Sequence, residues 1–298
     1  MTPDATRRLL SAATHFAIVV VVAVLFNFAV EVSIPRAVPN PYPMSYLLEL
    51  YIRGIADERA QRIIAAALPW TLALLIPATL VAFTVGTLLG AYLGRERNSG
   101  ATTAAVIPVI LVAAVPAFLI GMCLTAVFAV QLHWLPGASA FSPTLLFDRD
   151  HLATLGDLSG HAILPMSTIA LAGIGLFAIA MRGTVTMQAA DDHAIYAETL
   201  GLHPRTLFWS HLVRPSMLPQ VTGLGLVLAL VVTGAILVEA NFSYPGLGYI
   251  LYRAILGDDL VMMRSVTFVL IVGLAFTVAV VEFLYPFIDP RIRTTGRR

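Results

Sequence analysis

The 298-residue sequence predicts an all-α integral membrane protein with six transmembrane helices. Three observations lead there. Hydrophobic residues make up 58% of the chain and charged residues 12%, about half the charged share of an ordinary soluble domain. Several apolar runs reach the roughly 20 residues a helix needs to cross a bilayer. Proline and glycine punctuate these runs, which membrane helices tolerate because neighbouring helices re-satisfy the freed backbone groups.

Hydropathy places the spans at about 14–33, 70–93, 104–131, 162–181, 219–238 and 265–287. The first follows Arg7 and Arg8 and lacks a small-x-small cleavage site, so it reads as a retained helix rather than a secretory signal. Asn27 within it fits a helix-packing hydrogen bonder. The second holds Pro77, Gly86 and Gly90, and the third Pro108, Pro116 and Gly121, the marks of a packed, bent bundle. The fourth and fifth carry no ionisable group in their interiors, while Glu31, Glu239 and Glu282 lie near span ends.

Orientation follows from the basic residues. With a cytoplasmic N-terminus, the inner segments hold eleven arginines: Arg7, Arg8, Arg95, Arg97, Arg182, Arg205, Arg214, Arg291, Arg293, Arg297 and Arg298. The outer segments hold seven. The bias favours both termini in the cytoplasm.

Composition also excludes chemistry. The chain has no lysine, so it has neither a G-x-x-x-x-G-K-[ST] phosphate loop nor a lysine Schiff base. Cys123 is the only cysteine, which rules out an internal disulfide or a cysteine-based metal cluster. A secondary transporter would show inverted-repeat halves and midplane ionisable residues, and neither is evident. An intramembrane serine protease would need a nucleophile elbow, and no G-x-S-x-G occurs in any span. A gated passage powered from outside this chain fits better.

The most structured polar stretch is "YAETLGLHPRTLFWSHLVRPSMLPQ", Tyr196 to Gln220, on the arginine-rich side. A helix over about 189–200 should end at Gly201, the residue type that adopts a left-handed cap. A second should begin at His203-Pro204, where proline suits the first helical position, and end before Pro215. Leu207, Phe208, Leu212 and Val213 should face the membrane. The pattern alone suits a connector lying on the bilayer as well as a surface that docks a cytoplasmic partner.

With these residues in hand, a resemblance can be stated. Ala197, Gly201, Leu202, His211, Arg214, Leu218 and Pro219 follow the spacing of the E-A-A-x-x-x-G loop in ABC importer permeases of the peptide/nickel branch, although Ile195-Tyr196-Ala197 stands for the E-A-A triplet. "HAILPMSTIAL", "VEANFSYPGLGYILYRAI" and "LYPFIDPRIR" are similar to further motifs of that family in the same order, over roughly 65–293. The Y-P-G-L-G and D-P-R-I-R forms resemble the B-type subunit of a dipeptide/oligopeptide importer.

The resemblance implies a type I permease bundle of a bacterial inner membrane. Residues 1–64 would hold the N-terminal tail, first span and external segment; 65–293 the five-span core with its coupling loop at about 189–219; and 294–298 a short tail. It implies that Asp192, Ile195, Tyr196, Ala197, Leu200, Gly201, Leu202 and His211 form a coupling region docked on a separate ATPase, with small Ala197 against the partner. Closure of the ATPase pair would then rock the bundle between two states. The implied partners are one or two ATPase subunits, a C-type permease subunit, an extracytoplasmic substrate-binding protein and membrane lipid, without nucleic acid. ATP and Mg would sit on the ATPase, and this chain would bind no cofactor. Dipeptides, oligopeptides, nickel chelates and haem-like molecules all remain possible cargo.

On the outer side, Glu239, Phe242, Tyr244, Pro245, Gly246 and Gly248 are expected to form a turn or gate, with a glycine at unusual dihedrals. Glu239 fits either a gate lining or an anchor of that turn. "RDHLATLGDLSGH" reads as a solvated loop rather than a metal site, for it lacks ligand spacing. The stretch from Tyr46 to Trp70 reads as an amphipathic segment along the outer surface.

Overall fold

The computed structural model describes residues 55–95, 100–142 and 151–288, with scattered positions between 13 and 25. Most of the first expected span, with Asn27 and Glu31, and the closing Asp-Pro-Arg-Ile-Arg motif lie outside the described residues. The described residues are helical apart from turns and an irregular segment at 132–142, without a strand among them. Three helices are long and apolar enough to cross a membrane, or four if one sharply bent pair counts as a single span.

The described chain divides into two compact units. One comprises the described residues up to Thr71 together with Pro245–Leu284; the other is centred on Leu72–Tyr244. Helix α1, Glu58–Arg95, begins in the first and continues into the second. Its start is set by Asp57, whose carboxylate accepts the Ala60 N–H at 2.8 Å and satisfies one of the unpaired donors of a first helical turn. The charged stretch expected to lie on the outer surface is therefore, from residue 58 onward, the beginning of this helix rather than a separate element.

In the first unit, α1 contributes Ala60, Ile64 and Ala67 to a buried core with residues of two later helices, α9 (Leu247–Leu256) and α10 (Leu260–Ile288). Leu247, Ala254, Met262 and Val266 complete it. Thr71 Oγ1 accepts the Leu247 N–H at 2.8 Å, which caps α9 from a neighbouring helix. Asp259 caps α10 through the Met262 N–H and lies 3.7 Å from Arg59.

In the second unit the chain forms α2 (Gly100–Ala114), α3 (Ala117–Leu124, continued by π-helical turns Thr125–Gln131) and α4 (His151–Ala189). Helices α2 and α3 with its continuation cover the stretch expected as the third span, but they meet at 101° at Val115-Pro116 rather than running on as one straight helix. Proline lacks the N–H to continue a helix and keeps its predecessor out of the helical region. Helix α4 packs against α2, α3 and α8 (Leu224–Asn241). It also receives α1 along a stripe of bare backbone. A Cβ at Gly86 would stand 2.7 Å from the Ile174 carbonyl oxygen, one at Gly90 would press on Ala178, and one at Gly94 would stand 2.9 Å from Val185 Cβ. Small residues four apart let two membrane helices approach this closely.

Two expectations are corrected here. The segment His151–His161 is helical, the first turns of α4, rather than a loop. Asp157 accepts from the N–H and hydroxyl of Ser142, which precedes the helix, and the His161 ring nitrogen lies 2.9 Å from the Asp157 carbonyl. The fifth span is shorter than hydropathy suggests, because Gly223 separates α8 from a preceding helix.

Candidate functional site

The polar stretch between α4 and α8 folds into a compact corner. Asp191, in an extended conformation, opens α5 (Asp192–Thr199) through its own carbonyl, which accepts from Ala194 and Ile195. Gly201 ends it with φ +73°, the one positive-φ glycine among the described residues. The Gly201 N–H donates to the Glu198 carbonyl at 2.9 Å and the Leu202 N–H to the Ala197 carbonyl at 3.4 Å, the paired bonds of a Schellman cap. His203 then caps the next helix through its ring nitrogen to the Arg205 N–H, with Pro204 in the first turn.

That next helix does not stop before Pro215. It runs as α6 (Pro204–Thr206), π-helical turns Leu207–Val213 and α7 (Arg214–Thr222) without a break. Within this continuous helix Pro215 removes one backbone donor. The hydroxyl of buried Ser216 donates to the Leu212 carbonyl at 2.7 Å across the junction.

Beneath this corner lies a core of Ala91, Met181, Val185, Ala194, Phe208, Leu212 and Val213. The expectation that Leu207, Phe208, Leu212 and Val213 face the membrane is corrected: Phe208, Leu212 and Val213 turn into this core, covered by Ala91, Met181, Val185 and Ala194, and Leu207 is half-buried. Tyr92 stacks on Phe208 at 5.2 Å and meets Trp209 edge-on, with the Arg95 guanidinium 5.8 Å from the Phe208 ring. On the opposite side α5 exposes Ile195 (48%), Tyr196 (66%) and Leu200 (63%), with Asp192 and Leu202 also open.

Ala197 is different. Its side chain is 3% exposed and belongs to the interior of this chain, so its small size answers to internal packing rather than to a partner's surface. His211 is half-buried, and its backbone carbonyl accepts from His193 Nε2 at 3.1 Å. The other His193 ring nitrogen lies 3.3 Å from the Asp191 carboxylate. The His211 carbonyl and then the Asp191 carboxylate raise the His193 pKa, and His193 in turn lowers that of Asp191.

Sequence reasoning missed Gln220. Its side-chain nitrogen lies 3.1 Å from Thr87 Oγ1 on α1 and 3.1 Å from the Phe177 carbonyl on α4. The signal was present: an amide between apolar runs needs partners for its polar atoms.

At the other end of α8, Glu239, Phe242 and Tyr244 are buried, Glu239 to 1% exposure. The backbone carbonyl of Glu239 accepts the Tyr244 N–H at 2.9 Å, and the Ser243 N–H reaches the Ala240 carbonyl at 3.2 Å. This is a second Schellman cap, with Ser243 at φ +51° in the left-handed position. Burial, reinforced by the Glu239 charge, raises the Tyr244 pKa. The unusual dihedral is therefore at Ser243 and not at Gly246 or Gly248. Gly246 is extended, at φ −90° and ψ −177°, and opens α9 directly after Pro245; Gly248 is buried within α9.

A corner with a buried core and an exposed apolar face, joined to long apolar helices, belongs to a membrane protein. The chain matches the family described as binding-protein-dependent transport system inner membrane component over residues 86–294, and it belongs to that family. It is a permease component, not an enzyme. It is 28% identical over 265 residues to a putative peptide permease protein of Brucella ovis, covering 86% of this chain and 81% of that one. It is also similar to oligopeptide transport system permease proteins of Haemophilus influenzae (26% identity) and Salmonella typhimurium (28%), each over 80% of this chain and 73% of the relative.

Proposed function

We propose that this chain is the B-type permease subunit of an ATP-driven importer, forming half of a pathway for di- or oligopeptides or similar small solutes. It would work with a C-type permease subunit, one or two ATPase subunits and an extracytoplasmic binding protein, in an inner membrane with both termini cytoplasmic. The peptide cargo rests on the names of the relatives; the orientation rests on the arginine bias.

The observation that carries the reading is the exposed face of α5. Ile195, Tyr196 and Leu200 form an apolar patch on a helix of only eight residues, held at a fixed angle by the Gly201 cap. A short helix with an apolar outer face gains by burying it in a partner's cleft. The inner face is already covered by Ala194 and its core, so the helix can transmit a push rather than slide. Asp192 and Leu202 would border the contact, and His211 would support it from behind through its bond to His193.

The test is Tyr196→Asp. The side chain is open to solvent, so the chain itself should fold and insert. A desolvated, unpaired carboxylate in the contact costs several kcal/mol, about a hundredfold or more in affinity. The ATPase should be lost on co-purification and uptake should stop. A variant that keeps both would place the ATPase contact elsewhere than α5. Ala197→Glu would not serve, since it would disrupt the chain's own packing.

A further inference from the structure

From Pro204 to Thr222 the helical backbone is one uninterrupted rod. Its first half is fastened to α5 through Ala194, packed with Phe208, Leu212 and Val213. Its second half ends at Gln220, two residues before the helix stops. The Gln220 side chain, 4% exposed, spends both hydrogens of its amide nitrogen: one on Thr87 Oγ1, one on the Phe177 carbonyl, each at 3.1 Å. Phe177 is interior to α4, so its carbonyl oxygen uses one lone pair in the helix and the other here.

The position of this bond pair matters as much as its strength. Thr87 adjoins Gly86, whose backbone lies against Ile174 and Phe177 where α1 and α4 cross. Phe83 meets Phe177 edge-on at the same level, with ring centroids 5.3 Å apart. Gln220 therefore grips two long helices at once, on the stretch where their backbones come into contact. Apolar contacts are non-directional and allow helices to slide. Two directional hydrogen bonds in apolar surroundings fix the register, because breaking them leaves polar groups unsatisfied.

We propose that Gln220 is a positioning residue for transport, the tie through which movement of the docking segment reaches the α1–α4 pair. This rests on the reading of α5 as the docking helix. Gln220→Leu removes both donors at nearly constant volume, and Thr87→Val removes one acceptor.

Both variants are made in the complete transporter in liposomes. Three quantities are read: ATPase retained on purification, unstimulated Mg-ATP hydrolysis, and its stimulation by the binding protein isolated with its cargo. Retention and unstimulated hydrolysis should stay within about twofold of the parent, while stimulation falls about tenfold in Gln220→Leu, as loss of a buried hydrogen-bond pair allows. Thr87→Val should lose less, and the double variant should be no worse than Gln220→Leu, since both act on one interaction. Unchanged stimulation in Gln220→Leu overturns the proposal. So does a loss of assembled complex in step with stimulation, which would make Gln220 a folding residue only. Tyr196→Asp separates the two readings: if it keeps the ATPase while Gln220→Leu loses stimulation, docking at α5 fails, and with it the route through α5, leaving Gln220 a positioning residue driven from another contact; the converse pair of results removes the tie and leaves docking.

Discussion

Gly90 of α1 lies with its bare backbone against Ala178 of α4, so close that a Cβ would collide with the Ala178 carbonyl and Cα. Neither partner can yield, because both colliding atoms are main chain. The same stripe continues at Gly86 and Gly94, which makes the contact a seam rather than a point.

Gly90→Val should therefore force the two helices apart. Overpacking a filled contact costs about 1–3 kcal/mol, and more where backbone must move. The melting temperature of the purified complex should fall, and transport with it. Gly183→Ala, on α4 with nothing near its added Cβ, is the control and should leave stability unchanged or raise it slightly. Equal melting of Gly90→Val and the parent would mean that α1 and α4 are not joined along this seam.

Gly86 and Gly90 were legible in the sequence as close-packing residues, but their partner was not, since Ala178 and Ile174 are unremarkable members of an apolar run. Gly201 was legible in full: a glycine after a helical stretch with proline three residues on permits few other conformations. Pro116 announced an interruption, yet the 101° bend depends on the helices around it and has no local signature. The rod through Pro215 has no local signature, because proline ordinarily stops a helix and here lies within one that continues. Ala197 was misassigned for a different reason. A small residue in a docking motif can be small for its own chain's packing, and sequence cannot say which side it faces.

His193 gives the corner a pH dependence. Both of its ring nitrogens face acceptors, the His211 carbonyl and the Asp191 carboxylate, so the doubly protonated ring fits best. Its pKa is raised above the ordinary 6.5. The stabilisation it supplies is fully present below that ordinary value and is lost as pH rises through the raised one. Asp191 has the opposite sign: its pKa is depressed below 3.8, so its share is present above 3.8 and lost as pH falls through the depressed value. The tie between α5 and the following helix should thus be firmest between the two. Ring-carbon NMR of the histidine-labelled protein should show one resonance titrating above ordinary histidine and absent in His193→Gln. If the resonance lost in that variant titrates at or below 6.5, the double-acceptor geometry is wrong.

Ser243 offers the sharpest comparison at the C-terminal end of α8. It holds φ +51° at the cap position that glycine normally fills, and its side chain is exposed, so little but backbone strain is at stake. A left-handed residue with a Cβ costs about 1–2 kcal/mol relative to one without. Ser243→Gly removes that strain but gives the unfolded chain more freedom, which offsets part of the gain. The net effect should be a melting temperature equal to or slightly above the parent. Ser243→Val should lower it, because a β-branched residue at positive φ is a true outlier. The cap orients buried Glu239, Phe242 and Tyr244, so the valine variant should also reduce transport while leaving the ATPase bound, since α5 lies outside this turn. The two variants are measured side by side in the assembled complex. Tolerance of valine equal to that of glycine would show that Ser243 does not hold the left-handed corner, and the second Schellman cap would have to be withdrawn.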